Sequence, residues 1–132
     1  MKLIIAGSRP ITGTSFIYEA LKKFKITKKS VSEIVSGCAK GPDTGGKEVA
    51  EEHQIKVKSF PADWNKFGNG AGYKRNIEMG NYGDKLLAIW DGSSSGTEHM
   101  INTMKERKKE TCVCFQYIQR LQTHNRKNIN RG

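Results

Sequence analysis

Three glycine-rich segments and one arginine carry the chemistry legible in this sequence. The segments are Gly7-Ser8-Arg9-Pro10, Ser36-Gly37-Cys38-Ala39-Lys40-Gly41-Pro42-Asp43 and Asp91-Gly92-Ser93-Ser94-Ser95-Gly96-Thr97. Glycine lets the main chain approach a ligand closely. The first amides of a following helix lack intrahelical acceptors, so they can meet an anion with help from the helix dipole. Gly7, Ser8, Arg9, Gly37, Lys40, Gly41, Asp43, Ser95, Gly96 and Thr97 are therefore candidate ligand- or phosphate-binding residues. Ser95 and Thr97 would add hydroxyls, and Arg9 or Lys40 would add charge. A fourth segment, Ala71-Gly72-Tyr73-Lys74-Arg75-Asn76-Ile77-Glu78-Met79, brings in Gly72, Arg75 and Asn76. A guanidinium at Arg75 could clamp a phosphate bidentately. Each segment also has an ordinary reading, since strand-to-helix turns use Gly and Ser, and a surface arginine pairs with any nearby acid. The convergence of three such turns on one sheet edge is what points to a site.

The elements around these turns alternate. Lys2 to Ala6, Ser32 to Ser36, Ile55 to Phe60, Lys85 to Trp90 and Cys112 to Tyr117 read as strands. Between them, Phe16, Ile17, Ala20, Leu21 and Phe24 recur at helical spacing, and helices are expected from Asp43 or Thr44 to about His53, Ala71 or Gly72 to about Met79, and Gly96 to about Lys108. Asp43 or Thr44 is expected to cap the second helix. Ala62 to Gly72 reads as a loop in which Trp64 anchors the chain on the sheet or stacks on a base. Trp90 is expected in the core. The β-α-β-α-β-α-β-α-β order implies a Rossmann-like three-layer α/β/α domain with a mostly parallel sheet of about five strands. In such a sheet ligands sit beyond the carboxyl ends of the strands, where strand order reverses.

The chain has 132 residues, enough for one such domain over residues 1–117 followed by a basic segment, 118–132. The net charge of +10 is uneven: residues 105–132 carry eight Lys/Arg against two acids, and residues 1–104 carry fifteen against eleven. This basic end could contact single-stranded nucleic acid by counterion release, or could be a solvated tail; it is expected to be frayed or helical only in part. The longest apolar stretches, Leu3 to Ala6 and Leu86 to Trp90, are too short to cross a bilayer, and Met1-Lys2 precedes no signal-peptide core. A cytoplasmic location without membrane association is expected. Cys38, Cys112 and Cys114 read as free thiols in a reducing compartment, with Cys112 and Cys114 on one face of a strand. His53, His99 and His124 have no ligand spacing, so no metal and no cofactor is expected.

The motifs together resemble the YspA-type, cpYpsA-related branch of the SLOG superfamily, which groups the DprA/Smf proteins with the "Lonely Guy" enzymes. The resemblance rests on Ile4-Ile5-Ala6-Gly7-Ser8-Arg9, Ile34-Val35-Ser36-Gly37-Cys38-Ala39-Lys40-Gly41-Pro42-Asp43, Phe60-Pro61-Ala62-Asp63-Trp64, the Ala71–Met79 segment and Ser95-Gly96-Thr97, in family order. It implies a Rossmann-like fold and a nucleotide-type ligand. Superfamily members variously hydrolyse N-glycosidic bonds, sense nucleotide signals or bind single-stranded DNA, and relatives often associate into homo-oligomers. The Lonely Guy phosphoribohydrolases pair the arginine of an Arg-Lys-x-x-Met segment with a glutamate three positions after Gly-Thr. Arg75 and Met79 fit the first segment, with Asn76 in place of the lysine, but Met100 stands at the glutamate position. Glu98 is two residues early, a helical rotation of about 200°.

Three functions follow as expectations. The first is a sensor or sequestering protein that binds a nucleotide or nucleotide-derived small molecule. The second is an N-glycosidase or phosphoribohydrolase, with Arg75 and Glu98 as candidate catalytic residues and Asp91 or Asp43 as substitutes for the missing carboxylate. The third is a single-stranded nucleic-acid binder of the DprA kind.

Overall fold

The computed structural model describes residues 1–117, and the basic segment 118–132, with its expected fraying and nucleic-acid role, lies outside them. Five strands, β1 (Lys2–Gly7), β2 (Glu33–Ser36), β3 (Lys56–Ser59), β4 (Lys85–Trp90) and β5 (Glu110–Phe115), form one sheet in the order β3-β2-β1-β4-β5. Every pairing is parallel. Strand order therefore reverses between β1 and β4, whose ends lie side by side with Gly7 opposite Ile89. The domain is Rossmann-like, as expected.

Side-chain alternation along the strands builds a core on each face. Leu3 and Ile5 of β1, Ile34 of β2, and Leu87 and Ile89 of β4 face one way. Helices α1 (Ser15–Lys23) and α2 (Pro42–Glu52) cover that face with Ile17, Ala20, Val49 and Ala50. Ile4, Ala6, Val35, Leu86 and Ala88 face the other way, under Met79 of α4 (Ala71–Tyr82) and Met100, Ile101 and Met104 of α5 (Ser95–Glu106). Cys112 and partly buried Cys114 share the first face, and both are free thiols.

Several boundaries differ from the sequence reading for local reasons. β3 is a four-residue edge strand with every residue exposed, and Lys56 and Lys58 charge an edge that would otherwise invite pairing. The Ala62–Gly72 stretch is not all loop. A short helix, α3 (Trp64–Phe67), forms because the Asp63 carboxylate accepts the Lys66 amide at 3.0 Å, and a 3-10 turn over Gly68–Gly70 leads into α4. Neither Asp43 nor Thr44 is the cap of α2. Gly41 holds that position at φ 83°, with Pro42 in the first helical turn, where its missing N–H costs nothing. Trp90 is half-buried rather than core; it packs on Phe115 at 5.3 Å between centroids, and its indole N–H donates to Ser94 O at 3.1 Å.

Candidate functional site

An open cleft of about 540 Å³ lies over the carboxyl ends of β1 and β4, where strand order reverses. That volume falls within the roughly 300–1,000 Å³ typical of small-molecule sites. Gly7, Arg9 and Pro10 after β1 and Ala39 and Asp43 after β2 form one side. Gly72, Tyr73, Arg75, Asn76 and Met79 of α4 form another, and Ser93 to Thr97 close it at the start of α5. A smaller chamber of about 350 Å³ adjoins it, lined in part by Gly37, Cys38 and Lys40. Arg9, Ala39, Trp64 and Arg75 line both spaces.

The turn after β4 is held rigid from several directions. The Asp91 carboxylate accepts the Ser93 and Ser94 amides at 2.9 and 2.8 Å. Burial pushes this carboxyl upward, but those amides and the hydroxyls of Ser8 and Ser93 outweigh it and hold it below its usual value. Asp91 is thus an ionised brace for the turn. Behind it, Asn76 Nδ2 donates to Gly96 O and to His99 Nδ1, each at 3.1 Å, tying α4 to α5. Burial lowers the His99 pKa, in keeping with an imidazole that accepts at Nδ1. Ser95, Gly96 and Thr97 occupy the first helical positions, where amides have no intrahelical acceptor. These three residues line the cleft at the positive end of the α5 dipole, where an anion is favoured.

Arg75 crosses the cleft from α4 to the turn after β2, and its Nη1 donates to Gly37 O. Its Nε is shielded from solvent and has no acceptor among the described residues. Gly37 is required by this approach: a Cβ there would lie 2.6 Å from Arg75 Nη1 and 2.7 Å from Asp43 Oδ2. Asp43 is only 5 % exposed, with Oδ2 accepting the Ala39 amide at 3.4 Å. Burial pushes its carboxyl up to about 6, while the Arg75 charge and the Ala39 and Gly7 amides pull the other way.

The remaining expected site residues separate. Ser8 is fully buried and lines neither space; its Oγ accepts the Asp91 amide at 3.0 Å, and its own N–H and C=O join Ile89 and Ile11. Gly41 lines neither space, because its positive φ folds the turn beneath the backbone of Ser8 and Arg9. Gly37 and Lys40 face only the smaller chamber. Glu98 is exposed and lines neither space, whereas Met100, at the position of the Lonely Guy glutamate, is buried and lines the large cleft. Trp64 is not packed down on the sheet; it is 51 % exposed and lines the cleft, as does Tyr73. Tyr73, Asn69, Met79 and Met100 were not singled out as site residues from sequence. Tyr73 lies inside a recognised motif, but only the α4 geometry puts it on the cleft and against His99 at 4.5 Å. Among the described residues no group of three His, Cys, Asp or Glu could hold a metal ion, and no helix is long and apolar enough to cross a membrane.

A doubly wound parallel sheet with a ligand-sized cleft at its switch point defines a Rossmann-like α/β domain. The chain belongs to the YspA, cpYpsA-related SLOG family, whose sequence profile matches residues 1–67. The match takes in the turns after β1 and β2 and reaches Trp64, while Arg75 and Ser95–Thr97 lie beyond it. Family membership suggests nucleotide-related binding or processing. Comparisons with curated proteins and with solved structures returned no match.

Proposed function

We propose that the protein binds a nucleotide or nucleotide-derived small molecule in the large cleft and acts as its sensor or sequestering protein. The observation that carries this reading is Arg75, whose Nε is buried and unpartnered among the described residues, lining the same cleft as Ser95, Gly96 and Thr97 at the start of α5. A buried donor without an acceptor costs about 1–3 kcal/mol, and a phosphate oxygen would relieve it with a charge-assisted bond. Trp64 and Tyr73, exposed residues that line the cleft, offer flat faces for a base. Calorimetric titration with nucleoside mono-, di- and cyclic phosphates and ADP-ribose tests the reading. Saturable binding below millimolar supports it, and no binding by any member of the panel removes it.

One observation favours a second reading, hydrolysis of an N-glycosidic bond. Asp43 is a carboxyl poised near neutral pH on the cleft wall, beside Arg75. With Met100 in place of a glutamate and Asp91 committed to its turn, Asp43 is the carboxyl best placed to activate water or steady an oxocarbenium-like carbon. Glu98 has no such position. Chromatography of bound nucleotide tests this: release of free base, lost in Asp43→Asn, supports hydrolysis. Nucleotide that stays intact over days leaves only binding.

A further inference from the structure

The smaller chamber differs from the large cleft in its charge. The large cleft is lined by two carboxylates, Asp43 and Asp91, as well as by Arg9 and Arg75. The smaller one is lined by Arg9, Lys40 and Arg75 and by no acidic side chain. Among the described residues, none of these three cations lies within 4.0 Å of a carboxylate oxygen; the ion pairs present are Lys74–Glu78 and Lys85–Glu110. Asp43, in the wall of the large cleft, offsets part of the Arg75 charge, but three cations against no acidic lining residue raise the potential of the smaller concavity and favour an anion there.

The loop that presents Lys40 is held in an unusual shape. Cys38 sits at φ 66°, a left-handed conformation uncommon for a residue with a Cβ. Its amide donates to Ser36 Oγ at 3.1 Å, and Ser36 Oγ in turn donates to Asp43 O at 2.9 Å. Such strain persists only where surrounding structure fixes it, and it clusters at ligand sites. The chamber is not isolated, because Arg9, Ala39, Trp64 and Arg75 are walls of both spaces. One molecule can therefore lie across Arg75 and occupy both.

We propose that the chamber bounded by Arg9, Lys40 and Arg75 is a second anion subsite, and that the ligand is a nucleotide with two separated phosphoryl groups. One phosphoryl group sits at the Ser95–Thr97 amides and the other beside Lys40, with the sugar crossing Arg75. This rests on the nucleotide reading of the large cleft and deepens it: a simple 5′-monophosphate fills only half the site. The ligand class is a nucleoside bisphosphate or a dinucleotide carrying a terminal phosphate.

The test compares the four common nucleoside 5′-monophosphates with their 3′,5′-bisphosphates and with the matching 5′-phosphorylated dinucleotides, by calorimetry on the full chain. The expected result is a preference of about tenfold or more for a doubly phosphorylated probe, as one further charge-assisted contact provides. Whichever of the two doubly phosphorylated types binds tighter identifies the source of the second phosphoryl group. In Lys40→Ala the preference falls to about twofold or less. A second readout needs no variant: the preferred probe slows iodoacetamide labelling of Cys38, located by peptide mass mapping, about fivefold more than the monophosphate does. Equal affinity for singly and doubly phosphorylated probes overturns the subsite and leaves the nucleotide reading standing. A preference that survives Lys40→Ala, or equal protection of Cys38 by both probe types, also overturns it. Absence of binding by every probe overturns both.

Discussion

The turns after β1 and β4 look alike in sequence, both short and rich in Gly and Ser, and they lie side by side at the switch point. Their polar groups are committed differently. In the β1 turn, Ser8 spends its amide on Ile89, its carbonyl on Ile11 and its hydroxyl on Asp91. In the β4 turn, Asp91 absorbs the Ser93 and Ser94 amides, and the helical amides of Ser95, Gly96 and Thr97 remain open. We read Ser8 as scaffold, although its neighbours Gly7 and Arg9 line the cleft, and the start of α5 as recognition surface. A glycine-rich loop therefore reports close backbone approach, and only the fate of its donors tells whether the approach is to a ligand or to the protein itself.

Substitutions on the scaffold side should lower stability, and those on the recognition side should lower affinity. The largest effect is expected at Gly41, where φ is +83° and a Cβ would lie 2.7 Å from Ser8 O. Gly41→Ala should cost about 3 kcal/mol in urea unfolding through backbone strain and overpacking. A loss under about 1 kcal/mol would mean the turn can rearrange, and the distinction would blur.

Asp43 comes next. Its folded pKa of about 6 lies above the ordinary 3.8, so folding favours the protonated form. Its contribution to stability is thus complete below the unfolded pKa and is lost as pH rises through the folded one. Between about pH 4 and pH 6, wild type should lose on the order of 3 kcal/mol relative to Asp43→Asn, the size that such a shift implies. Parallel stability–pH curves for the two proteins would show that the carboxyl is not strained by burial.

On the recognition side, Arg75→Ala should weaken nucleotide binding by about thirtyfold, near 2 kcal/mol for a charge-assisted contact. The smallest effect belongs to Ser8→Ala, which removes the acceptor for the Asp91 amide and should cost about 1–2 kcal/mol of stability. Its nucleotide affinity should change less than twofold. If Ser8→Ala weakened binding as much as Arg75→Ala, the two turns would not differ in role.

Most of the fold was legible because it rests on local pattern. The two-faced burial of Leu3 to Ala6 and Leu86 to Ile89 marks strands buried on both sides, and their alternation with helices leaves few topologies. The neighbourhood of the site was legible too, since Gly7, Arg9, Asp43, Gly72, Arg75, Asn76 and Ser95–Thr97 line one cleft. What the residues do there was less so. Ser8 turns inward because of a partner 83 positions away, and Lys40 lines only the side chamber, whose wall includes Arg75, 35 positions on. Asp43 reads as a cap from its position before a helix, yet Pro42 and Gly41 take over that end and leave its carboxyl to the cleft. Helical spacing alone sufficed to place Glu98 on a different face from position 100, and the exposure of the first and burial of the second follow from it.

The central claim is that the start of α5 and Arg75 form one anion site. Amide and guanidinium resonances followed by NMR during titration with the tightest-binding nucleotide test it most directly. The account predicts that the Ser95, Gly96 and Thr97 amides and the Arg75 Nε–H shift most, together and saturably. Shifts confined to residues 118–132, or spread without involving those four groups, would contradict it.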